Sequence, residues 1–166
     1  MIEMEIDLKL AEYDEKYLFK KMLELYMYDL SSFENLDLNE FGEYGYRYLD
    51  LYWIESERFP FILRVNQKLA GFALINKFAY SKGIDFTVAE FFILKKYRNK
   101  GLGRKLALKI FQQFFGRWEV RTLTKNIRAK TFWRKIIEQY ASESMKEFTD
   151  NVKNKEVTIW TFTSNK

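Results

Sequence analysis

An apolar strand pattern, a turn with two glycines and an amphipathic helix pattern follow one another in the middle of the chain. They cover Phe86–Leu94, Tyr97–Arg104 and Leu102–Phe115, respectively. Glycines let the backbone turn tightly and come close to a ligand. The first N–H groups of a helix have no partner within it, and the helix dipole adds positive potential there. The junction therefore predicts a binding site for an anion such as a phosphate group.

The strand patterns on either side of this junction predict the topology of a sheet. A strand at Ile84–Leu94, the helix and a strand at Trp118–Leu123 predict a β-α-β crossover with two parallel, adjacent strands. Upstream, Phe59–Val65 and Leu69–Phe78 predict a hairpin joined by Asn66–Lys68. We therefore expect an antiparallel N-terminal meander followed by the crossover.

The ends of the chain add further elements to this sheet. Alternating residues predict a strand over Glu3–Leu10, and helical spacing predicts a first helix capped by Asp14. A last helix is predicted over Asn126–Tyr140, and a C-terminal hairpin over Ala141–Phe148 and Glu156–Phe162. The whole pattern predicts an α/β fold of the mixed α+β type with a central mixed sheet. The length favours a single domain spanning residues 1–166.

The residue types that are missing exclude several kinds of chemistry. The chain has no His and no Cys, which excludes Ser-His-Asp triads, Cys nucleophiles and the usual zinc sites. Proton transfer must then use a carboxylate, Lys, Tyr, an amino group or water. No carboxylate spacing is typical of a metal site, so we expect no metal. No run reaches the roughly 18 apolar residues of a membrane helix, and the acidic start does not resemble a signal peptide. We expect a cytoplasmic protein that does not bind a membrane.

Charge is distributed unevenly along the chain. Every charged residue from Lys95 to Lys109 is basic, whereas the stretch from Glu34 to Arg58 carries seven acids and two bases. The basic stretch suits a polyanion, and the acidic stretch suits a cation. Two solvated surfaces without ligands are the alternative interpretation, and the sequence leaves both open.

The spacing of the two glycines discriminates between known phosphate-binding motifs. A dinucleotide-binding Gly-x-Gly-x-x-Gly is excluded because Leu106 stands at the third glycine position. No stretch has the spacing of a P-loop. The residues from Arg98 to Gly103, Arg-Asn-Lys-Gly-Leu-Gly, match Arg/Gln-x-x-Gly-x-Gly/Ala at every fixed position. This stretch resembles the cofactor motif of the GNAT superfamily of N-acetyltransferases.

Two other stretches extend the resemblance. Asn126–Trp133, which opens a helix pattern and carries an aromatic pair, is similar to a second motif of the superfamily. Gly45–Asp50 together with Phe72–Leu74 is similar to a bacterial group described as predicted acetyltransferases. The resemblance implies the GNAT-like acyl-CoA N-acyltransferase fold. It also implies an N-acetyltransferase that moves an acetyl group from acetyl-CoA directly to a primary amine.

The resemblance further implies which residues bind acetyl-CoA. Main-chain amides at the turn would wrap the pyrophosphate, and the strand before it would bond the pantetheine arm as an added strand does. An Asn would bond the arm near the thioester. Core packing is the alternative role of the strand residues, and helix capping is that of the Asn. The implied cofactor-binding residues are Phe91, Phe92, Ile93, Arg98, Asn99, Lys100, Gly101, Leu102, Gly103, Arg104 and Asn126.

Glu90 is the candidate catalytic residue because it is the one carboxylate within the apolar strand. Burial favours the protonated form of a carboxylate, which would make Glu90 a base for the amine proton. A carboxylate paired with Lys or Arg, or facing solvent, is the alternative. By resemblance a Tyr on the last helix would protonate the leaving thiolate, but Trp133 stands there. An indole cannot act as this acid, so Tyr140, water or the substrate would replace it.

The acceptor is the least determined part of the prediction. Aromatic rings and carboxylates between residues 31 and 56 suit a cationic amine, so we expect a small basic amine or a peptide amine. A non-catalytic acyl-CoA-binding domain, favoured by Trp133, is the second interpretation. Nucleic-acid binding by Lys95–Lys109 is a third, although phosphate binding already explains that cluster and we expect no nucleic-acid partner. A homodimer through the last strands is left open.

Overall fold

The computed structural model describes residues 4–166, which form an α/β fold around a mixed sheet. Within this part of the chain, seven strands are hydrogen-bonded in the order β1-β2-β3-β4-β5-β7-β6. Short 3-10 turns lie at Tyr13–Glu15, Leu49–Trp53 and Lys95–Tyr97. The elements are β1 (Ile6–Leu10), α1 (Lys16–Leu30), β2 (Arg58–Val65), β3 (Lys68–Asn76), β4 (Phe86–Ile93), α2 (Leu102–Gln113), β5 (Gly116–Leu123), α3 (Ile127–Ala141), β6 (Lys146–Val152) and β7 (Lys155–Ser164).

The topology confirms the fold class that the sequence predicts. β4 pairs with β5 in parallel, and β6 pairs with β7 in antiparallel orientation as the C-terminal hairpin. β2 and β3 are joined by Asn66 and Gln67 alone, both at positive φ, as in a tight turn between antiparallel strands. None of the helices in residues 4–166 is long and apolar enough to cross a membrane.

Local hydrogen bonds explain where three predicted boundaries were wrong. β3 ends at Asn76 rather than at residue 78 because the Asn76 side chain accepts the Phe78 N–H (2.9 Å) and turns the chain. The first strand of the C-terminal hairpin begins at Lys146 rather than at residue 141. The helix α3 continues to Ala141, whose carbonyl accepts the N–H groups of residues 144 and 145.

The start of the chain also differs from the prediction. Asp14 lies inside the 3-10 turn and does not cap α1. The Glu15 side chain instead accepts the Glu12 N–H (2.9 Å) in a reciprocal capping arrangement at the start of that turn. β1 starts at Ile6, and Glu3, the first residue of the predicted strand, lies outside the described residues.

The chain divides into two compact units. The first unit comprises the chain from the first described residue to Leu74 together with Glu90–Tyr97. There, β1 pairs with β2 in antiparallel register, from Ile6 opposite Val65 to Leu10 opposite Phe61. α1 buries Phe19, Met22 and Leu23. Helical spacing in the sequence predicts an inward face of Tyr17, Leu18, Met22, Leu25 and Tyr26. Met22 is buried as predicted, but the prediction is wrong for Tyr17 and Leu25, which are exposed. The second unit comprises Ile75–Ala89 and Arg98–Lys166.

Large rings fill the core of the second unit. Trp118, Trp160 and Phe111 are fully buried. The Phe111 and Phe162 ring centroids lie 4.9 Å apart, and Trp118 stacks on Phe162 at 6.4 Å. Aromatic pairs of this geometry contribute beyond the area that they bury. The parallel pairing of β4 with β5, from Phe86 to Val88, is thereby held over a rigid aromatic layer.

A buried carboxylate anchors the connection between β3 and β4 in the same unit. Glu119 on β5 is fully buried, and its two oxygens accept the N–H groups of Tyr80 (3.0 Å) and Ser81 (2.7 Å). Arg121 pairs with it at 3.1 Å. Burying a charge costs free energy unless it is paired and hydrogen-bonded. These three partners compensate the Glu119 charge and fix the path of the chain into β4.

Gly71 of β3 lies closer to β4 in the first unit than any other residue type would allow. A Cβ at this position would lie 2.2 Å from the Phe92 carbonyl oxygen and 3.1 Å from Ile93 Cδ1. A backbone oxygen cannot move aside as a flexible side chain can. Gly71 therefore fixes where β4 runs past β3.

We predict that Gly71→Ala destabilises the protein by about 3 kcal/mol, because overpacking against the backbone must displace β4. Urea denaturation followed by circular dichroism measures the change. Gly42→Ala is the matched control, since Gly42 has a φ of 72° and no atom within 4 Å of the added Cβ. It should cost only the left-handed backbone penalty of about 1–2 kcal/mol. Equal losses in the two variants would contradict the close approach.

Candidate functional site

The glycine turn precedes α2 in the second unit and uses left-handed backbone. Asn99 has a φ of 60° and Gly101 a φ of 73°, and α2 starts at Leu102, which is buried. Gly101 occupies the capping position and, lacking a side chain, does not itself cap the first N–H groups. A Cβ at Gly101 would meet no atom within 4 Å. The start of α2 thus offers backbone donors toward open space.

The side chains around this turn reinforce its positive potential. Lys100, Arg104 and Lys105 are exposed, and the first turn of α2 contains no acid. Arg104 donates from Nε to the Gln139 side-chain oxygen at 3.4 Å. Because Gln139 is neutral, this hydrogen bond does not offset the positive charge of Arg104. Basic side chains near a helix start strengthen its attraction for an anion at low salt. The turn can therefore hold a phosphate group.

Asn126, also in the second unit, caps α3. Its side-chain oxygen accepts the Ala129 N–H at 3.1 Å. The capping role that the sequence offered as an alternative is therefore confirmed. Its role toward a cofactor stays a prediction.

Trp133, at the position of the family's usual acid, and the candidate acid Tyr140 both contact the core of the second unit. Trp133 is 5% exposed and lies against Phe132 (4.9 Å between centroids) and Phe111 (6.5 Å). The Tyr140 hydroxyl is 2.7 Å from the Ser164 hydroxyl, which itself donates to the Phe111 carbonyl. These contacts give both side chains a structural role.

Glu90 lies in the first unit, where it is hydrogen-bonded to two tyrosines. The hydroxyls of Tyr26, on α1, and Tyr46 both form hydrogen bonds with its carboxylate. Burial, followed by the negative charge of Glu90, raises the pKa of Tyr26 well above its ordinary value. The same two causes, in the same order, raise the pKa of Tyr46 far above its ordinary value. Both phenols therefore remain neutral donors.

The residues that follow Glu90 on β4 are part of the core of the first unit. The Phe92 ring packs against Tyr26 (5.6 Å between centroids) and Phe72 (5.8 Å), and Ile93 is buried. The alternative of core packing is therefore confirmed for these two side chains. The Phe91 side chain is partly buried. A role of this backbone toward a cofactor stays a prediction.

A cavity of about 580 Å³ lies in the first unit between α1 and the segment of residues 45–50. Glu24 of α1 shapes one end, because its carboxylate accepts the N–H groups of Tyr44 (2.8 Å) and Gly45 (2.9 Å). The cavity lining includes Tyr46, so the residue that bonds Glu90 also borders this cavity. The lining residues are Tyr13, Asp14, Lys16, Tyr17, Lys20, Leu23, Glu24, Gly45, Tyr46, Arg47, Leu49 and Asp50.

Several acids of the acidic stretch are paired with bases of the same unit. Lys16 pairs with Asp50 (2.5 Å), and Lys20 pairs with Glu43 (3.3 Å). Arg58 donates from Nε to Glu55 at 2.6 Å. The stretch is therefore less negative in the fold than it looks in the sequence. Among residues 4–166, no group of three or more acidic side chains is arranged to hold a metal ion.

Sequence reasoning identified Glu90 but not the hydroxyls that bond it. Tyr26 is predicted only as part of the inward face of α1, and Tyr46 only as one of several aromatic residues near the acceptor. Both lie more than forty positions from Glu90 along the chain. No spacing rule links residues so far apart, and only the packing of α1 and residue 46 beside β4 reveals the cluster.

Comparison with known proteins identifies the family. The Acetyltransferase (GNAT) family matches residues 21–137, which is more than half of the chain. The chain therefore belongs to the GNAT family of acetyltransferases, as its turn motif indicates. No curated protein is similar enough to count as a relative.

Solved structures share the fold at low sequence identity. An acetyltransferase from Thermus thermophilus superposes with a TM-score of 0.67 at 18% identity, over 95% of this chain and 96% of that one. A second structure is a protein of Bacillus anthracis str. Ames named as a streptothricin acetyltransferase and solved in complex with acetyl coenzyme A. It superposes with a TM-score of 0.55 at 16% identity, over 70% of this chain and 68% of that one. A spermidine N-acetyltransferase chimera from Vibrio cholerae and hSSAT superposes with a TM-score of 0.62 at 11% identity, over 96% of this chain and 95% of that one.

We predict that Tyr26 and Tyr46 reduce stability at alkaline pH. Their raised pKa values mean that the unfolded chain releases two protons above pH 10.0 that the folded protein keeps. Stability from each group is complete below pH 10 and falls above it by about 1.4 kcal/mol per pH unit. Replacing both residues with Phe should therefore flatten the loss of unfolding free energy between pH 10 and 11. Urea titrations at several pH values measure it, and an unchanged slope would contradict the burial of these hydroxyls.

Proposed function

We propose that the protein is an acetyl-CoA-dependent N-acetyltransferase that acetylates a primary amine by direct transfer. The observation that carries this proposal is the left-handed turn at Asn99 and Gly101, which opens the start of α2 as an anion site. Family membership supplies the class of reaction. A chain without Cys suits direct transfer because it offers no thiol for an acetyl-enzyme intermediate.

The turn fits the diphosphate of coenzyme A. The backbone of Asn99–Arg104 would wrap the pyrophosphate, with Arg98 and Lys100 adding positive charge. The backbone of Phe91–Ile93 would bond the pantetheine arm, and the Asn126 amide would bond it near the thioester. Bound acetyl-CoA supplies an activated acyl group whose carbon–sulfur bond breaks when the amine nitrogen attacks. The proposed coenzyme-binding residues are those that the sequence predicts: Phe91, Phe92, Ile93, Arg98, Asn99, Lys100, Gly101, Leu102, Gly103, Arg104 and Asn126.

Glu90 would act on the amine. An alkylamine is protonated near neutral pH and must lose one proton before its nitrogen can attack, and the adduct must lose another. The Glu90 carboxylate is a proton acceptor held by two neutral phenols. We assign it the role of base, acting directly or through water. The departing thiolate would take its proton from water or from the substrate, since Trp133 cannot supply one.

We expect Gly101→Ala to weaken coenzyme A binding by about tenfold or more. The added methyl group would point into the open space where the diphosphate is proposed to lie. Isothermal titration calorimetry with coenzyme A measures the change. Gly42→Ala is the control, because its φ of 72° nearly equals the 73° of Gly101 and its Cβ also meets nothing. A wild-type protein without affinity for coenzyme A would refute the proposed function.

We expect Glu90→Gln to keep coenzyme A affinity and to lose about 10²- to 10⁴-fold in turnover, the contribution typical of a general base. Thiol release from acetyl-CoA measures turnover with a panel of amines, including spermidine and short peptides. Glu57→Gln, which removes an exposed carboxylate of the same unit, should retain activity. Unchanged turnover in Glu90→Gln would remove Glu90 from the chemistry.

The acceptor is proposed to be a small basic amine or a peptide amine. The cavity beside Tyr46 supports this class, because it offers tyrosine rings together with the carboxylates of Asp14 and Asp50. Rings and carboxylates attract a cation. The pairing of Asp50 with Lys16 reduces this attraction, so the amine must compete with the lysine. The panel of amines discriminates between the two acceptor classes.

A non-catalytic acyl-CoA-binding domain is the second candidate. The burial of Trp133 at the position of the family's usual acid favours it. Coenzyme A affinity without thiol release for any amine in the panel would support this candidate over the enzyme. Three other features stay predictions from the sequence: a single domain, a cytoplasmic location and a homodimer through the last strands.

A further inference from the structure

A chain of side chains leads from Glu90 to Arg58 within the first unit. Tyr46 is hydrogen-bonded to Glu90 and also to the hydroxyl of Tyr52. Tyr52 is in turn hydrogen-bonded to the guanidinium of Arg58. The Arg58 carbon Cζ also lies 5.4 Å from the centre of the Tyr52 ring. The order of the chain is therefore Arg58, Tyr52, Tyr46 and Glu90.

Elementary hydrogen-bond chemistry gives this row of hydrogen bonds one direction. A guanidinium donates and never accepts, so the Tyr52 oxygen must accept from Arg58. Each phenol carries one proton. With Glu90 ionised, Tyr46 donates to the carboxylate, and the Tyr52 proton then goes to the Tyr46 oxygen. Every donor in the chain consequently points toward Glu90.

The surroundings protect this arrangement from water. Tyr52 is 3% exposed, and Glu90 and Arg58 are partly buried. Glu55 pairs with Arg58 at 2.6 Å and holds the guanidinium in place. Hydrogen bonds in a chain polarise one another where the dielectric is low. Reversing the chain would leave the Tyr52 proton facing a guanidinium that cannot accept it.

The groups that act on Glu90 come from several elements. Tyr26 comes from α1, Tyr46 from the segment before the second 3-10 turn, Tyr52 from that turn, and Arg58 from β2. Glu34 acts by its charge on Tyr26, and Glu55 offsets part of the Arg58 charge. Phe92, which packs on Tyr26, adds no charge. Of these groups, Tyr26 and Tyr46 donate directly to the carboxylate.

We propose that Arg58, Tyr52 and Tyr46 form a one-way donor chain that, together with Tyr26, holds Glu90 as an oriented anion. The proposal rests on the proposed function, in which Glu90 is the base. Tyr46 and Tyr52 are positioning residues, because they act through Glu90. The donor chain cannot carry a proton away from Glu90 through Arg58, since a guanidinium does not accept a proton. A proton that Glu90 takes from the amine must therefore leave by a route other than Arg58.

The test is a carbon-13 NMR titration of the glutamate carboxyls in the full-length protein without ligands, in which Glu90→Gln identifies the Glu90 signal. Tyr46→Phe removes a donor to the charged form and should raise the Glu90 titration midpoint by about one pH unit. Tyr26→Phe should raise it similarly and serves as a second variant. Tyr28→Phe, an exposed hydroxyl two residues away on α1, should leave it unchanged. An unchanged midpoint in both Tyr46→Phe and Tyr26→Phe would overturn the proposal.

Because Tyr52 acts on Glu90 only through Tyr46, the effects of the two variants on the Glu90 midpoint should not add. Tyr52→Phe alone should raise the midpoint less than Tyr46→Phe, because it acts only through Tyr46. Adding Tyr52→Phe to Tyr46→Phe should then produce no further rise. If Tyr52→Phe shifts the midpoint equally in both backgrounds, the hydroxyls do not act in series and the chain is refuted.

The titration is independent of catalysis, so it separates this proposal from the proposed function. A shifted midpoint in a protein that acetylates no amine would support the donor chain and refute the role of Glu90 as a base. In an active enzyme, the acidic limb of the pH profile of kcat/KM should move upward with Tyr46→Phe by the same amount as the NMR midpoint. A limb that stays fixed while the NMR midpoint moves would show that the chain does not serve the reaction.

Discussion

The left-handed turn before α2 is the constraint on which the candidate anion site of the second unit depends. Asn99 and Gly101 adopt left-handed conformations, so the chain can leave the strand and start a helix within a few residues. The buried Leu102 then fixes the first turn of α2 in the core of the second unit. Gly101, at the capping position, has no side chain with which to cap the first N–H groups of α2. A turn that the fold requires thereby offers backbone donors, so the proposed phosphate site would need few dedicated side chains.

β4 serves the first unit in a different way. Gly71 allows β3 to come so close that the Phe92 carbonyl would collide with any Cβ, which fixes the strand that carries Glu90. Glu90 would be an unfavourable charge in this half-buried place without donors. The phenols of Tyr26 and Tyr46 provide them, and their own raised pKa values keep them protonated. The free energy that stabilises the Glu90 anion thus comes from packing α1 and residue 46 against β4, rather than from β4 itself.

Much of the fold could be predicted from the sequence because its signals are local. The hairpin near residue 66, the parallel crossover and the C-terminal hairpin all follow from apolar periodicity and turn residues, although β3 begins at Lys68, which the sequence places in the turn. Two of the boundaries that were wrong depend on a few local hydrogen bonds. Asn76 ends β3 by accepting a backbone N–H, and Ala141 extends α3 by receiving two. Such bonds compete with the periodic pattern but leave no trace in it.

The sequence by itself determined the motif Arg98–Gly103, the position of Glu90 in an apolar strand and the lack of His and Cys, and with them the family and the chemistry that remains open to it. These features are local, so spacing and composition suffice to recognise them. Only the tertiary structure decided which groups surround Glu90, because Tyr26, Tyr46, Tyr52 and Arg58 come from separate elements. It also decided that lysines and an arginine neutralise acids of the stretch from Glu34 to Arg58. Hydrogen bonds and ion pairs between distant residues exist only once the chain has packed, and periodicity carries no information about them.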